Sequence, residues 1–391
     1  MAVKTGLEML IENKFRPLLG RKIAVLCNQA SITRHFEHIL SILSAAQRQH
    51  QFKLEAIWGP QHGLWGHTQD NMIEWEGSDA GTIPLYSLYG KHRKPTAEMM
   101  RSIDTLVVDL QDVGARYYTF IWTMALCMEA AAESGSEIVI LDRPNPLGGT
   151  IIEGPVQEPD YCSFVGLYPL PVRHGLTIGE IAVYLKTNFM QNCQLKIIRM
   201  EGWRRRQLWP DTRLPWGMPS PNMPTPETAQ VYPGMCLLEG TNVSEGRGTT
   251  RPFEIFGAPW INGDAFCRNL NSISLPGVHF QSFRFQPTFN KFAGELCQGG
   301  FIRVTNPRTF KPFRTGLAVL RECLRSYPEK FRWKPPPYEY EYEKLPIDIL
   351  IGSRKIRENI ASLSTIESIE NEWQPDSSEF EKKRTAALLY N

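Results

Sequence analysis

The first half of the chain alternates short apolar runs with segments of helical periodicity. Apolar runs predict buried strands at residues 22–27, 54–58, 105–110, 137–142 and 195–200. Helical periodicity predicts helices at residues 35–47, 119–133 and 177–189. Continuous apolar strands that alternate with helices are typical of a parallel sheet covered on both faces. We therefore predict an α/β fold with a Rossmann-like, doubly wound and mostly parallel sheet.

A proline-rich stretch at residues 209–233 separates this pattern from the second half. Proline is excluded from helix interiors and central strands, so the stretch predicts an extended connection and a domain boundary. Beyond it the weaker periodicity predicts a strand at residues 301–304 and helices at residues 316–325, 353–363 and 377–389. We accordingly predict a Rossmann-like domain at residues 1–225 and a smaller α+β domain at residues 226–391.

Charge and cysteine spacing narrow the class of protein. The 391 residues include 43 basic and 41 acidic side chains, and the net charge of +2 does not favour nucleic acid or a membrane surface as partner. No run of about 18 apolar residues predicts a transmembrane helix, and the first 22 residues lack the apolar core of a secretory signal. The eight cysteines are too far apart for a zinc site and are expected to be reduced. These features predict a cytoplasmic protein and leave its oligomeric state open.

Polar loops at the carboxyl ends of the predicted strands are the first candidates for a binding site. Such loops converge at one edge of an open parallel sheet, where ligands bind. They lie at residues 27–29, 59–66, 111–118 and 142–149 and combine hydrogen-bonding side chains with aromatic residues and glycine. That mixture suits a carbohydrate. A nucleotide is disfavoured, because the chain has no G-x-G-x-x-G after a strand and no G-x-x-x-x-G-K-[ST].

Several of these residues also have a structural explanation. Asp142 can cap a turn, and Asp109 and Asp112 can pair with Arg116. Glu180 fits a capping box at the start of a helix, which is about as well supported as a catalytic role.

A dense set of polar residues at 239–250 is the candidate from the second half. It places two carboxylates, Arg247 and several hydroxyls among glycines, which let the backbone approach a ligand closely. A tight turn held by pairing between Arg247 and a glutamate is the structural alternative. His62 and His67 are weak candidates for a metal, because no matching third ligand is evident.

A series of motifs resembles one known family. The motifs are PQHGLWG, YSLYG, DLQDVGARYYTF, LDRPNPLGG, EGP, FVGLYPLPVRHGLTIGE, PSPNMPT, YPGMCLLEGTNVSEGRGTTRPFE and GAPW. In this order they are similar to the exo-β-N-acetylmuramidase (NamZ) family from about residue 6 to the C-terminus. The resemblance implies a Rossmann-like domain and a smaller C-terminal domain with the active site in the cleft between them. It implies hydrolysis of terminal β-linked N-acetylmuramic acid from peptidoglycan fragments in cell-wall turnover and recycling, with no metal or organic cofactor.

One position departs from the family pattern. Members typically have Pro-Glu-His-Gly where this chain has Gln61 in second place, and that glutamate is a leading catalytic candidate. A glutamine cannot exchange a proton at neutral pH, although it can donate and accept hydrogen bonds. Three outcomes remain: another carboxylate acts, the acetamido group of the substrate acts as nucleophile, or the protein binds a sugar without cleaving it.

The family resemblance and the polar loops together select candidate site residues. The acid or base candidates, in falling order of preference, are Glu180, Glu245, Glu239, Asp109 and Asp112. The candidates for binding the lactyl carboxylate of the substrate are Arg116, Arg143, Arg173 and Arg247. Those for its hydroxyls and acetamide are Gln61, His62, Asn145, His174, Asn222 and Asn242, and those for stacking on the ring are Trp65, Tyr117 and Tyr118.

Two other classes of function stay open from the sequence. One is a non-catalytic protein that binds or senses an amino sugar on the same scaffold, which Gln61 makes plausible. The other is a different hydrolase, such as an amidase with Cys27 as nucleophile, although no partner for that thiol is evident.

Overall fold

The structure is a computed structural model that describes residues 2–69, 72–77, 79–80 and 83–391, with only the backbone described for residues 79–80. The strands in these residues are β1 (Lys22–Cys27), β2 (Lys53–Gly59), β3 (Asp79–Ala80), β4 (Ile83–Ser87), β5 (Thr105–Asp109), β6 (Glu137–Leu141), β7 (Glu153–Val156), β8 (Pro171–Arg173), β9 (Gln194–Ile198), β10 (Ile255–Ala258), β11 (Val278–Phe285) and β12 (Cys297–Val304). They form a seven-stranded sheet, a three-stranded antiparallel sheet in the order β10-β12-β11, and the antiparallel pair β7-β8.

The helices follow the strands in the first half and predominate in the second. The α-helices are α1 (Gly6–Glu12), α2 (Ile39–Ala46), α3 (Ala97–Arg101), α4 (Phe120–Ser134), α5 (Ile178–Asn188), α6 (Trp209–Thr212), α7 (Pro226–Met235), α8 (Gly263–Ser272), α9 (Pro312–Ser326), α10 (Pro346–Ile351), α11 (Arg354–Ala361) and α12 (Ile366–Arg384). Short 3-10 helices occur at Arg16–Leu18, Pro159–Tyr161, Cys236–Gly240 and Thr385–Ala387. None of the helices in the described residues has both the length and the apolar character that a membrane crossing requires.

The large sheet has the strand order β3-β4-β2-β1-β5-β6-β9. Only β3 runs antiparallel to its neighbour, and the other six strands are parallel. Counted among the parallel strands alone, the order is 3-2-1-4-5-6, which is the Rossmann order. The direction of winding reverses between β1 and β5, where Cys27 pairs with Asp109. The predicted doubly wound parallel sheet is confirmed.

Both faces of the large sheet are buried, which explains why its strands are continuous apolar runs. Ala24 and Leu26 of β1 belong to the larger apolar core, which also contains residues of α4 and α5. Ile23 and Val25 belong to a second core that contains residues of α1 and α2. Successive side chains of a strand point to opposite faces, so a strand covered on both sides needs an apolar residue at every position.

The second half departs from the predicted elements at α6 and α7, which begin in the proline-rich stretch, and at α12. It also contains β10, β11, α8 and α10, which the weak periodicity did not predict. The proline-rich stretch is not extended throughout, because α7 begins within it at Pro226. Proline suits the first turn of a helix, where its missing N–H is not needed, and the Thr225 hydroxyl accepts a hydrogen bond from the Thr228 amide at 3.2 Å. The last long helix, α12, begins at Ile366 rather than at residue 377 and continues through Pro375.

Arg116 joins separate segments of the chain through their backbone carbonyl groups. Its fully buried guanidinium donates from Nη1 to the carbonyls of Pro155 at 3.0 Å and Leu170 at 2.9 Å. It donates from Nη2 to the carbonyls of Leu350 at 2.7 Å and Ile351 at 3.0 Å. The latter two carbonyls end α10, where helical carbonyls have no partner within the helix. A side chain from the loop after β5 therefore fixes a helix of the second half.

We expect Arg116→Met to destabilise the protein strongly. The substitution removes the Arg116 donor from four buried carbonyls, of which Leu170 keeps the Gln157 amide as a donor at 3.3 Å, and one unsatisfied buried group costs about 1–3 kcal/mol. Thermal unfolding should show a clear loss of melting temperature relative to Arg101→Met, a control at the exposed end of α3. Equal melting temperatures for the two variants would contradict this structural role.

Candidate active site

A cavity lies where loops of the first half meet the second half of the chain. The first half contributes side chains from the loop after β2, from the start of α4 and the loop before it, and from the connection between β7 and β8, namely Gln61, His62, Tyr117, Tyr118, Thr119, Phe120 and Val165. Ser220, Asn222 and Met223 come from the connection before α7. The second half contributes Tyr232, Glu239, Arg247, Phe253, Tyr338 and Glu339. The cavity is therefore built by both halves together.

The loop after β2 turns sharply at the cavity. His62 has a φ of 70° and Gly63 a φ of 85°, both in the left-handed region. The His62 ring is held by its Nδ1 atom, which lies 2.7 Å from the carbonyl oxygen of Thr68. This local geometry places Gln61 and His62 side by side on the cavity wall.

One wall of the cavity is aromatic. Tyr232 packs edge-on against Tyr117, Tyr118 and Phe253, with ring centroids 5.6, 5.9 and 4.8 Å apart. The Tyr117 hydroxyl donates a hydrogen bond to the Pro233 carbonyl, which fixes that ring on α7. Such interlocked rings give a rigid apolar surface with hydroxyl groups along it, as sugar-binding sites need.

Glu239 is the ionised carboxylate of the cavity. Its Oε1 atom accepts a hydrogen bond from Arg247 Nη2 at 2.7 Å, and its Oε2 atom accepts one from the Tyr338 hydroxyl at 2.6 Å. Burial alone would raise the pKa of Glu239, but the Arg247 charge and the Tyr338 hydroxyl outweigh burial and hold the pKa below its ordinary value. Glu239 is therefore charged at neutral pH.

Glu339 lies in the same cavity and has the opposite character. Its side chain is buried, and its carboxylate accepts hydrogen bonds from the Tyr89 hydroxyl at 2.8 Å and from Gln61 Nε2 at 3.3 Å. Burial, reinforced by the negative charge of Glu239, raises the pKa of Glu339 to about 7 despite these donors. The cavity thus holds one ionised carboxylate and one carboxyl that carries a proton for much of the time near neutral pH.

Glu245 lies behind Arg247 in an adjoining pocket of about 700 Å³ that shares Glu239, Arg247 and Tyr338 with the cavity. Its Oε2 atom accepts a hydrogen bond from Lys291 Nζ at 2.8 Å, and its Oε1 atom is 3.5 Å from Arg247 Nε. Glu245 thus helps to hold the Arg247 guanidinium beside Glu239.

Glu180, the first acid candidate from sequence, does not line the cavity. It forms the predicted capping box of α5, in which its Oε2 atom accepts a hydrogen bond from the Thr177 amide at 3.0 Å. The same oxygen binds Arg205 Nη2 at 2.5 Å, and Oε1 binds the Leu389 amide at 2.8 Å. The carboxylate of Glu180 is fully buried, and its hydrogen bonds hold the C-terminal segment in place.

The aspartate at the end of β5 and the one in the loop after it are also engaged away from the cavity. Asp109 forms a two-pronged ion pair with Arg143, at 2.5 and 2.8 Å, across the point where the sheet reverses its winding. Asp109 thus pairs with Arg143 and not with Arg116, the partner considered from the sequence. Asp112 accepts a hydrogen bond from the Gly114 amide at 2.8 Å and lies 3.3 Å from His174 Nε2.

The other candidates outside the cavity bind backbone groups or lie on the surface. Arg173 donates to the Leu147 carbonyl at 2.6 Å, Asn145 bonds within its own loop and to Leu176, and Asn242 bonds to the backbone of Lys330 and Arg332. Arg116 has the structural role described above. Trp65 is 60% exposed and packs against His38, with ring centroids 5.2 Å apart.

The thiol of Cys27 is not placed for nucleophilic chemistry. It is fully buried at the end of β1, and burial together with the Asp109 charge raises its pKa well above the ordinary value. A thiolate is the reactive form, so the amidase alternative gains no support. Among the described residues, no three His, Cys, Asp or Glu side chains come together to hold a metal ion.

Sequence patterns alone missed several residues of the cavity. Glu339 and Tyr338 occur in the aromatic loop between α9 and α10, and Tyr232 occurs in the proline-rich stretch. None has a spacing that marks chemistry. The one available signal was the pair of glutamates within a run of tyrosines at residues 338–342, where acidic groups among bulky rings suggest burial.

Comparisons with known proteins point to one family. Models described as the N-terminal and C-terminal domains of the exo-β-N-acetylmuramidase NamZ match residues 23–227 and 230–390. The peptidoglycan β-N-acetylmuramidase NamZ of Bacillus subtilis is 43% identical over 390 residues, which cover 99% of this chain and 91% of that protein.

Two crystal structures of DUF1343 family proteins from Bacteroides fragilis have the same fold. One has a TM-score of 0.89 at 34% identity, and the other has a TM-score of 0.76 at 28% identity. Each similarity covers 100% of this chain and 99% of the other chain. The two-domain architecture is thus shared along the whole length.

We expect Glu180→Gln to lower stability and to retain kcat. The variant weakens the bond to Arg205 but changes no residue of the cavity, whereas loss of a catalytic proton-transfer group costs about 10²–10⁴-fold in rate. Melting temperature and kcat on peptidoglycan fragments, measured on the same preparation, check the two effects separately. A folded variant with such a large loss of kcat would show that Glu180 takes part in catalysis.

Proposed function

Because this chain belongs to the NamZ family and is a glycoside hydrolase of peptidoglycan turnover, we propose that it releases terminal β-linked N-acetylmuramic acid from peptidoglycan fragments. The observation that carries this proposal is the cavity between the two halves, in which an aromatic wall faces a buried Glu239–Arg247 pair. Ring faces, a carboxylate and a cation are the three groups needed to hold and cleave a charged amino sugar.

The cavity suits a single terminal sugar. Its walls come from loops of both halves of the chain and from the connection between them. A chain of several sugars would need an open groove. A site closed by loops of both halves favours binding at the end of a glycan fragment.

Arg247 is placed to recognise the lactyl carboxylate that distinguishes muramic acid from glucosamine. It is the only lysine or arginine on the cavity wall within the described residues. Its guanidinium is held by Glu239 and Glu245 and lies 5.2 Å from the Phe253 ring centroid. A guanidinium fixed on several sides presents its donors in a defined direction, which favours a planar carboxylate.

Polar groups line the rest of the cavity and suit hydroxyls and the acetamide. His62, Ser220 and Asn222 are contributed by the loops after β2 and before α7. Asn222 Nδ2 donates to the Gln69 carbonyl at 2.6 Å, which ties the two loops together. Binding a sugar between them would complete the hydrogen bonds of both loops.

Glu239 supplies the negative charge that hydrolysis needs. Glycosidic bond cleavage passes through an oxocarbenium-like transition state with positive charge at the anomeric carbon. A carboxylate kept ionised by Arg247 and Tyr338 stabilises that charge without first having to lose a proton. Gln61 is one member of this cavity, and its lack of a carboxyl does not leave the site without acidic groups, so a purely binding protein is disfavoured.

Release of free N-acetylmuramic acid from a disaccharide of N-acetylmuramic acid β-linked to N-acetylglucosamine tests the proposal. We expect the monosaccharide to appear by mass spectrometry, with Glu239→Gln reducing kcat by about 10²-fold or more. Binding of the disaccharide without any release would favour the sensor, and attack at an internal linkage of longer fragments would contradict an exo-acting enzyme.

Substrates altered only at the lactyl group test the role of Arg247. Conversion of the lactyl carboxylate to an amide should reduce kcat/KM by roughly 10–100-fold, the value of one charge-assisted hydrogen bond of about 1.5–3 kcal/mol. The corresponding N-acetylglucosaminide should be reduced at least as much. Equal kcat/KM for the acid and the amide would exclude carboxylate recognition by a cation.

A further inference from the structure

A buried carboxyl that no sequence pattern indicated occupies the cavity beside Gln61. Glu339 is 3% exposed and lines the same cavity as Glu239. Its backbone φ of 45° and that of Tyr340, 67°, lie in the left-handed region, which costs free energy in residues other than glycine. Strain of this kind persists where the surrounding structure holds a side chain in one place.

We propose that Glu339 is the catalytic acid of this site and that Gln61 and Tyr89 are positioning residues for its carboxyl group. The proposal rests on the glycosidase function proposed above. It extends that function, because it names which group gives the leaving sugar its proton.

A chain of hydrogen bonds fixes the position of this carboxyl. The Thr119 hydroxyl donates to Gln61 Oε1 at 2.5 Å, which turns Gln61 Nε2 toward Glu339 Oε1 at 3.3 Å and toward the Tyr89 hydroxyl oxygen at 3.1 Å. The Tyr89 hydroxyl accepts from the Met72 amide at 3.0 Å and donates to Glu339 Oε2 at 2.8 Å. Both carboxyl oxygens are therefore located by side chains that are themselves held by other groups.

The segment that carries Glu339 is also anchored on its far side. The Tyr340 ring packs edge-on against Tyr89, with centroids 5.8 Å apart, and the Arg93 guanidinium lies 3.6 Å from the Tyr340 ring centroid. Tyr338, on the other side of Glu339, donates to Glu239. One tripeptide thus sets the position of both carboxyl groups.

The charged and titratable groups around Glu339 keep it able to hold a proton. The loops after β2 and β4 present Gln61 and Tyr89, both neutral donors, while the second half presents Glu239 and Arg247. Burial and the Glu239 charge raise the pKa of Glu339 to about 7, and the two donors and Arg247 moderate this rise. Glu239 is kept ionised by its own cation. Two carboxyls whose pKa values are pushed in opposite directions form the acid and the anion of a glycosidase.

Proton transfer from Glu339 accompanies cleavage of the glycosidic bond. The O–H bond of the Glu339 carboxyl breaks, and its proton passes to the glycosidic oxygen. The bond from that oxygen to the anomeric carbon breaks, and the electron pair stays on the oxygen, so the remainder of the fragment leaves as an alcohol. A water oxygen then bonds to the anomeric carbon, one O–H bond of that water breaks, and its proton passes to the Glu339 carboxylate. Glu339 is then protonated again, Glu239 stays ionised, and the remaining O–H becomes the anomeric hydroxyl of the released sugar.

Gln61 acquires a definite role in this arrangement. Its amide gives Glu339 a neutral hydrogen-bond donor at the place where a glutamate would put a second carboxyl about 3.3 Å away. Two carboxyls so close would share one proton. With glutamine there, Glu339 titrates beside a fixed neutral neighbour, and the site keeps a proton donor although position 61 has no carboxyl.

The experiment compares two leaving groups in Glu339→Gln. A sugar hydroxyl needs a proton to leave, whereas 4-nitrophenolate leaves readily as an anion. We expect kcat/KM on the N-acetylmuramic acid disaccharide to fall about 10²–10⁴-fold and that on the 4-nitrophenyl β-N-acetylmuramide to fall far less. Glu343→Gln, on the same segment but exposed, is the control and should match the unsubstituted enzyme on both substrates.

The outcomes separate this inference from the proposed function. If the unsubstituted enzyme cleaves both substrates and Glu339→Gln loses equally on both, Glu339 is not the acid and the function stands. If the unsubstituted enzyme cleaves neither, the proposed function fails and the inference fails with it. A large loss on the disaccharide alone supports the inference.

A pH profile provides a second readout that does not need Glu339 to be replaced. The acid must be protonated in the free enzyme, so kcat/KM on the disaccharide should fall as the pH rises above about 7. Tyr89→Phe removes a donor that favours the ionised form, so the pKa of Glu339 should rise and the alkaline fall should move to higher pH. Tyr86→Phe, on β4, is the control and should not move it. An unchanged profile in folded Tyr89→Phe would overturn the assignment.

Discussion

Two carboxyl groups buried in one small cavity impose the central constraint on this protein, because burial opposes ionisation of both. The constraint is met unequally. Glu239 receives a cation, Arg247, and a strong hydroxyl donor, so it stays charged, whereas the hydrogen-bond donors of Glu339 are the neutral side chains of Tyr89 and Gln61. The difference between an anion and a proton carrier follows from these partners, since the two side chains are chemically identical.

The fold brings the partners together from distant parts of the chain. The Rossmann-type sheet supplies rigid strand ends, but its winding reversal is occupied by the Asp109–Arg143 ion pair. The cavity instead uses the loops after β2 and β5, and the second half closes it with Glu239, Arg247 and the segment at 338–340. Arg116 holds the second half of the chain in position, because it binds the carbonyls at the end of α10. Site geometry and stability therefore depend on the same contacts between the halves.

The sequence predicted the sheet well and some of the residues that line the cavity. Strands buried on both faces leave a continuous apolar signal, and the ends of β1 were predicted to the residue. Gln61, His62, Tyr117, Tyr118, Asn222, Glu239 and Arg247 were predicted and do line the cavity. Glu180 was ranked first because the local sequence around a glutamate near a strand end does not distinguish a side chain that caps a helix from one that faces a ligand. Glu339 was missed because its chemistry arises from burial and from partners more than 200 residues away, which no local spacing encodes.

The proposed catalysis requires one sugar to lie in the cavity between Glu239 and Glu339. The most direct measurement is a crystal structure of Glu339→Gln with an uncleaved disaccharide of N-acetylmuramic acid and N-acetylglucosamine. We predict the N-acetylmuramic acid ring against the tyrosine wall, its lactyl carboxylate toward Arg247, and the glycosidic oxygen within hydrogen-bond distance of the substituted side chain. A disaccharide bound elsewhere, or one whose glycosidic oxygen faces away from residue 339, would contradict the account.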